Sequence, residues 1–126
     1  MKKMNSKKSN GDKSFRKTEK LRKNYQFQKV YKQGKSLATK NTVMFIRKNF
    51  KGCNRLGVSI SKKVGKSVVR HRLKRLYIEA FRNLKANIVK SGFDIVIIGR
   101  KGAGSMTYSE VFSEIKGLMS WGKLLK

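Results

Sequence analysis

The stretch GKSVVRHRLKRLYIEAFR, residues 65–82, decides the fold because one helical pattern runs through it and beyond. Apolar residues recur every three or four positions and form one stripe, while basic residues occupy the opposite side. The stripe consists of Val69, Leu73, Leu76, Tyr77, Ala80, Leu84 and Ile88. The sequence therefore predicts a helix, capped by Ser67, that buries one face and presents a strongly positive face outward.

The positive face indicates an anionic partner. Lys66, Arg70 and Arg72 fall in or near the first helical turn, where the helix dipole disfavours cations, so they add nothing to helix stability. The whole chain carries 33 basic and 6 acidic residues, a formal charge of +27, and no acidic residue lies between Glu19 and Glu79. Such a charge suits a nucleic acid, whose neutralised phosphates release counterions. An anionic membrane is the weaker alternative.

The composition also predicts the compartment. The single cysteine, Cys53, cannot form an internal disulfide, which fits a reducing environment. The longest apolar run, near residues 95–98, is too short to span a bilayer, and the basic N-terminus lacks the apolar core of a signal peptide. We therefore expect a cytoplasmic protein that does not contact a membrane.

The other elements are predicted from periodicity and from turn residues. A first helix is expected between Asn24 as N-cap and Gly34 as stop. Strands are expected at residues 36–39, 42–48, 55–61 and 93–99, and a closing helix at 108–125. The second and third strands are expected to pair as a hairpin. The chain thus reads as a disordered basic tail, residues 1–20, followed by one RNA-binding α+β domain, residues 21–126.

Several residues allow more than one interpretation. Phe27 and Tyr31 share a face of the first helix, where they are either core residues or, interleaved with lysines, a platform on which unpaired bases stack. Gly57 and Ser59 leave one face of the third strand open to close approach. On the closing helix, Trp121 is interpreted as a packing residue.

No catalytic or metal site can be assembled from these residues. A metal-dependent nuclease needs clustered carboxylates, whereas the six acidic residues here are scattered. One histidine and one cysteine cannot supply the four ligands of a zinc site. Asp94 opens a strand and is interpreted as structural. The function is therefore expected to be binding, with any reaction carried by another component.

Several motifs together resemble one known family. RLGVSISKKVG at residues 55–65, followed by VVRHRLKRLYIEAFR, resembles the protein subunit of bacterial ribonuclease P. The family signature R-N-R-x-K-R reads Arg70-His71-Arg72-Leu73-Lys74-Arg75, with histidine in place of asparagine. LRKNYQFQKVYKQGKSLA at residues 21–38 and DIVIIGRKGA at 94–103 are similar to the family as well, so the resemblance covers about residues 21–120.

The resemblance implies a fold and a set of partners. The fold has the order α-β-β-β-α-β-α, with helices covering a small mixed sheet, as in a ribosomal protein domain of the same type, and a left-handed crossover that general preferences would not predict. One protein monomer would join one large catalytic RNA and bind precursor tRNA, whose 5′ leader the complex removes. The RNA would supply the active site and its Mg²⁺ ions.

The resemblance also assigns two binding surfaces. The surface for the catalytic RNA comprises Lys62, Lys63, Lys66, Arg70, His71, Arg72, Lys74 and Arg75. The cleft for the single-stranded leader comprises Phe27, Tyr31, Phe45 and Arg47. For Phe27 and Tyr31 the resemblance therefore favours base stacking over a role in the core. A structural RNA-binding protein of ribosomal type is the alternative function, and a DNA-binding protein using the basic helix is a third, which would usually need dimer symmetry.

Overall fold

The computed structural model of the chain describes residues 20–88 and 92–125. Within these ranges the elements are α1 (Asn24–Gln33), β1 (Lys35–Ala38), β2 (Thr42–Lys48), β3 (Arg55–Ile60), α2 (Ser67–Leu84), β4 (Phe93–Gly99) and α3 (Tyr108–Trp121). Short 3₁₀ turns occupy Lys62–Val64, Lys85–Asn87 and Lys101–Ser105. This order confirms the predicted α+β fold. None of the helices in the described ranges is long and apolar enough to cross a membrane. The predicted tail lies outside the described residues, apart from Lys20.

The sheet has the order β1-β2-β4-β3 and is mixed. β2 runs antiparallel to both β1 and β4, whereas β3 runs parallel to β4. The predicted hairpin of β2 with β3 is therefore wrong, because β4 lies between them. β4 reads FDIVIIG and is buried along most of its length, so it takes a central position with a partner on each edge. β3, α2 and β4 form a βαβ unit. The left-handedness of this crossover stays a prediction.

One face of the sheet carries the main core, which α2 and α3 cover. Leu73 and Tyr77 of α2 are fully buried there, and the Tyr77 hydroxyl lies 2.8 Å from the Thr42 hydroxyl. Burial raises the pKa of Tyr77 to about 12. Phe81 is also buried although the predicted stripe omitted it, and Ile88 lies beyond the end of α2, where it pairs with Leu125. The amphipathic pattern of the central helix is otherwise confirmed.

The other face of the sheet carries a smaller cluster under α1. Leu21, Val30 and Val96 are buried in it. Phe27, Tyr31, Phe45 and Ile98 pack against these three residues but are only partly buried. The sheet therefore has a thick apolar layer on one side and a thin, partly open one on the other.

Helix ends differ from prediction in three places. Ser67 and Asn24 are the first residues of their helices, and the N-cap positions belong to Lys66 and Lys23. α3 ends at Trp121 instead of continuing to residue 125. Trp121 is 62% exposed, so its interpretation as a packing residue is wrong. Gly122, which follows the helix, lies against the side chains of Ile46 and Leu37.

Candidate nucleic-acid interface

The eight residues predicted to bind the catalytic RNA lie on one continuous segment, the Lys62–Val64 turn and the first half of α2; we call them the basic surface. The Ser61 hydroxyl accepts a hydrogen bond from the Lys63 backbone N–H at 3.2 Å, which starts the turn. Gly65 then adopts a φ of +156°, and a Cβ there would lie 3.2 Å from Val69. The turn therefore brings the lysines of residues 62–66 next to the arginines of α2.

Two arginines of the basic surface are held by backbone carbonyls. The Arg70 Nε donates to the Gly65 carbonyl at 3.1 Å, and an Arg72 Nη donates to the Met106 carbonyl at 3.0 Å. The second bond joins α2 to the turn that precedes α3. A guanidinium has five N–H donors, so one such bond orients the group and leaves donors for a phosphate.

Lys74 and Arg75 face a different region from Arg72. Together with Arg82 they line a cavity of about 740 Å³ between α2 and the outer edge of β3, and Lys20 and Arg22 line it from the other side. The predicted single basic face is thus divided. Arg72 reaches toward the α3 end of the protein, while the next helical turn lines the β3-edge cavity.

The three aromatic residues predicted to bind the leader form a cluster between α1 and the sheet. The Tyr31 and Phe45 ring centroids lie 5.2 Å apart at an interplanar angle of 67°, and those of Phe27 and Tyr31 lie 6.4 Å apart. A cavity of about 290 Å³ opens beside them; we call it the aromatic cleft. Its lining residues are Arg22, Asn24, Phe27, Tyr31, Val58 and Ser59. Phe45 contacts Tyr31 but does not line the cavity.

The small residues of β3 shape this cleft. A Cβ at Gly57 would lie 2.6 Å from the Phe27 ring, so only glycine lets the ring lie against the strand at this distance. Burial raises the pKa of Tyr31, and a hydrogen bond with the Ser59 side chain acts in the opposite direction. Phe27 and Tyr31 therefore each pack on the small core and also line the cleft, and base stacking on them stays a prediction.

Arg47 is positioned differently from the other predicted leader residues. Its Nε donates to the Gln33 side chain at 2.8 Å, and a guanidinium nitrogen lies 3.7 Å from the Asp94 carboxylate. It does not line the aromatic cleft. Its contacts join the end of α1 to β2.

The sequence analysis missed a buried polar network around Asp94. Arg55 donates two hydrogen bonds to the Asp94 carboxylate, both at 2.7 Å, and Asn49 donates a third at 2.7 Å. Burial alone would raise the pKa of Asp94, but these hydrogen bonds and the charges of Arg55 and Arg47 hold it below its usual value. The structural interpretation of Asp94 is confirmed. The available signal was a carboxylate at the start of a buried strand, which must find a partner.

The fold and the distribution of charge define a class of protein. A mixed sheet carries a basic crossover helix on one face and a short aromatic helix on the other, as expected of a small α+β protein that assembles with RNA. The chain belongs to the ribonuclease P protein family. A family model described as Ribonuclease P matches residues 15–122, which is most of the chain.

Individual relatives agree with this assignment. The ribonuclease P protein component of Lachnoclostridium phytofermentans is 48% identical over 108 residues, covering 86% of this chain and 92% of the relative. The structure of the Staphylococcus aureus RNase P protein matches with a TM-score of 0.79 at 32% identity, over 86% of this chain and 98% of that one. The Thermotoga maritima RNase P protein matches with a TM-score of 0.74 at 36% identity, over 82% and 96% of the two chains.

Proposed function

We propose that this chain binds the catalytic RNA of ribonuclease P through the basic surface and the 5′ leader of precursor tRNA through the aromatic cleft. It thereby promotes endonucleolytic removal of the leader, in the cytoplasm, as one protein monomer per RNA. The observation that carries the proposal is the presence, in a chain of this family, of a basic helix and an aromatic cleft on opposite faces of one sheet.

The leader site suits single strands of varied sequence. Every base has a flat face, so stacking on Phe27 and Tyr31 requires no particular base, and one stack contributes about 1–3 kcal/mol. Arg22, at the rim of the cleft, supplies a positive charge for the backbone. Recognition by stacking and charge would let one protein handle many different leaders.

The chemistry is proposed to belong to the RNA. Within residues 20–88 and 92–125, no three His, Cys, Asp or Glu side chains come together as a metal site would require. The proposal therefore gives the Mg²⁺ ions to RNA phosphates, and gives the protein the task of lowering phosphate repulsion and holding the substrate.

The signature position occupied by His71 is proposed to retain RNA contact. His71 is exposed on α2, one residue from each of the two anchored arginines. A neutral imidazole offers one donor and one acceptor, as the ends of an asparagine amide do. His71→Asn is therefore expected to leave assembly with the RNA nearly unchanged, whereas His71→Ala weakens it.

The test is cleavage of a precursor tRNA at low magnesium by the protein alone, by the ribonuclease P RNA of the same cell alone, and by both together. Efficient cleavage only with both supports the proposal. Cleavage by the protein alone would contradict the assignment of chemistry to the RNA. No stimulation of the RNA would favour the structural RNA-binding alternative, for which co-purification with ribosomal subunits is the further check.

A double substitution tests the basic surface separately. Arg72→Ala with Arg75→Ala should weaken assembly with the RNA and reduce its salt dependence by about one log unit per log unit of salt for each phosphate that is no longer neutralised. Lys40→Ala with Lys116→Ala removes the same charge from exposed positions elsewhere and is the matched control. An equal loss of RNA affinity in the two double variants would mean that net charge, and not the basic surface, determines assembly.

A further inference from the structure

The loop that joins β2 to β3 presents an exposed aromatic side chain. Phe50 is 83% exposed, more than any other large apolar residue in the described ranges. Its φ is +59°, in the left-handed region that bulky residues rarely adopt. One exposed aromatic residue is ordinary on a protein surface. An exposed aromatic residue that also adopts an unfavourable backbone conformation is unusual, and this combination requires a physical explanation.

The loop around Phe50 is firmly anchored. The buried Asn49 donates its backbone N–H to the Gly92 carbonyl at 2.7 Å and its side-chain amide to Asp94 at 2.7 Å and to the Cys53 carbonyl at 3.1 Å. The Asn49 side-chain oxygen accepts from the Lys51 backbone N–H at 2.8 Å. Phe50 thus lies between two residues whose positions hydrogen bonds fix, and these bonds hold its conformation.

The folded chain gains no hydrophobic burial from phenylalanine at this position, and the contact of its ring with Lys48 is exposed. A ring that stays in water contributes no hydrophobic stabilisation. Asparagine adopts the left-handed conformation more readily and would expose no apolar surface. Phe50 therefore lowers the stability of the free protein, and its compensation must come from something that covers the ring.

The surroundings of Phe50 indicate the chemistry of that partner. The Lys48 ammonium lies 5.8 Å from the centroid of the ring, and Lys51 follows at an exposed position. The carboxylate beneath the loop, Asp94, is 1% exposed and paired with Arg55, so it does not neutralise the loop surface. An aromatic face flanked by cations fits a base with its phosphates.

We propose that Phe50 stacks on an unpaired base of an RNA while Lys48 and Lys51 contact the neighbouring phosphates. This contact lies on the β2–β3 loop, apart from both the basic surface and the aromatic cleft. It shares with the proposed function only the premise that the partner is RNA. The anchored loop presents the ring in a fixed position, so little conformational entropy is lost on binding.

The test compares four proteins, the wild type, Phe50→Ala, Phe50→Tyr and Phe50→Asn, binding a short labelled oligouridylate and a duplex RNA of equal length. Phe50→Ala and Phe50→Asn should weaken binding of the single strand roughly tenfold, whereas Phe50→Tyr keeps the affinity. Duplex binding should change little, because its bases are already stacked. A 4-thiouridine oligonucleotide should photocrosslink to the peptide that contains Phe50.

Phe50→Asn separates this proposal from a purely structural role. It should raise the melting temperature by relieving the backbone while it weakens RNA binding, so stability and affinity move in opposite directions. Trp121→Ala, which removes another exposed aromatic side chain, on α3, is the matched control and should leave single-strand affinity unchanged. Unchanged affinity in Phe50→Ala, or an equal loss in Trp121→Ala, would overturn the proposal. Cleavage by the wild-type protein with its RNA tests the proposed function independently.

Discussion

The two faces of the sheet use aromatic and aliphatic residues in opposite ways. Beneath α2 and α3, residues such as Leu73, Tyr77 and Ile115 are fully buried. Beneath α1, the aromatic rings of Phe27 and Tyr31 remain partly exposed beside a cavity. The two faces of the sheet therefore differ in how completely they exclude water. One face is closed to water and holds the fold together, and the other keeps apolar surface available.

The difference extends to the helices themselves. α2 has 18 residues and buries five of them, whereas α1 has 10 and buries only Val30. A short helix with one buried anchor depends on neighbouring contacts for its stability, and the hydrogen bond from the Leu21 backbone to β3 supplies one of them. We therefore expect α1 to open locally more readily than α2, which amide hydrogen exchange would measure residue by residue.

The largest expected effect contrasts one substitution from each face. Leu73→Ala should lower the free energy of unfolding by about 3 kcal/mol, because it leaves a cavity in the closed layer. Phe45→Ala removes a larger side chain but should cost less, because Phe45 is only half-buried. Urea unfolding of both variants measures the difference. A greater loss in Phe45→Ala would show that the α1 face carries much of the stability after all.

The sequence predicted the closed face better than the open one. The limits of β2 and β4 and the amphipathic pattern of α2 follow from local periodicity, which a single segment contains. The position of β4 between β2 and β3 does not, because strand pairing is decided by packing between distant segments. The same holds for the Asp94 network and for the left-handed Phe50, whose causes lie in residues far apart in the chain.

For the candidate site, the sequence identified residue types more easily than their arrangement. The basic surface is continuous in the chain, so its members could be named together. Lys74 and Arg75 line the cavity at the edge of β3, whereas Arg72 contacts the Met106 carbonyl, and this arrangement depends on how α2 packs. Arg22 was missed as a cleft residue because nothing local distinguishes it from the other exposed cations of this chain.

A medium effect concerns the buried polar network around Asp94 at one end of the sheet. Asp94→Asn should lower the free energy of unfolding at neutral pH by about 2 kcal/mol, because it leaves Arg55 without its ion pair. The folded pKa of Asp94 is below its unfolded value, so its stabilisation is present above about pH 4 and is lost as the pH falls from there toward the folded pKa.

The pH dependence provides the control for that prediction. Unfolding midpoints in urea should fall with acidification in the wild type more steeply than in Asp94→Asn, which lacks this titration. Parallel curves for the two proteins would mean that other carboxyl groups, such as Glu110 at the N-terminus of α3, account for the acid sensitivity. A hydrogen bond from the Thr107 backbone N–H lowers the pKa of Glu110.

The smallest expected effect on stability tests whether the open face is built for binding. In Gly57→Ala the new Cβ would lie 2.6 Å from the Phe27 ring and 3.1 Å from the Leu21 Cβ, so the ring must leave its present position beside the aromatic cleft. The ring is the outer end of a side chain, so the cost should be only about 1 kcal/mol. Leader binding should weaken more than this loss of stability suggests, because the ring on which a base is proposed to stack is displaced.

Gly117→Ala is the matched control, since a Cβ at this position on α3 would meet nothing within 4 Å. It should raise the free energy of unfolding by about 0.5–1 kcal/mol through helix propensity and leave RNA binding unchanged. The decisive measurement is the affinity of precursor tRNA with and without its leader for the assembled protein and RNA. If Gly57→Ala lowers both affinities equally, the cleft does not hold the leader. If it lowers only the affinity for precursor tRNA that carries its leader, the partly exposed rings of the open face bind the leader.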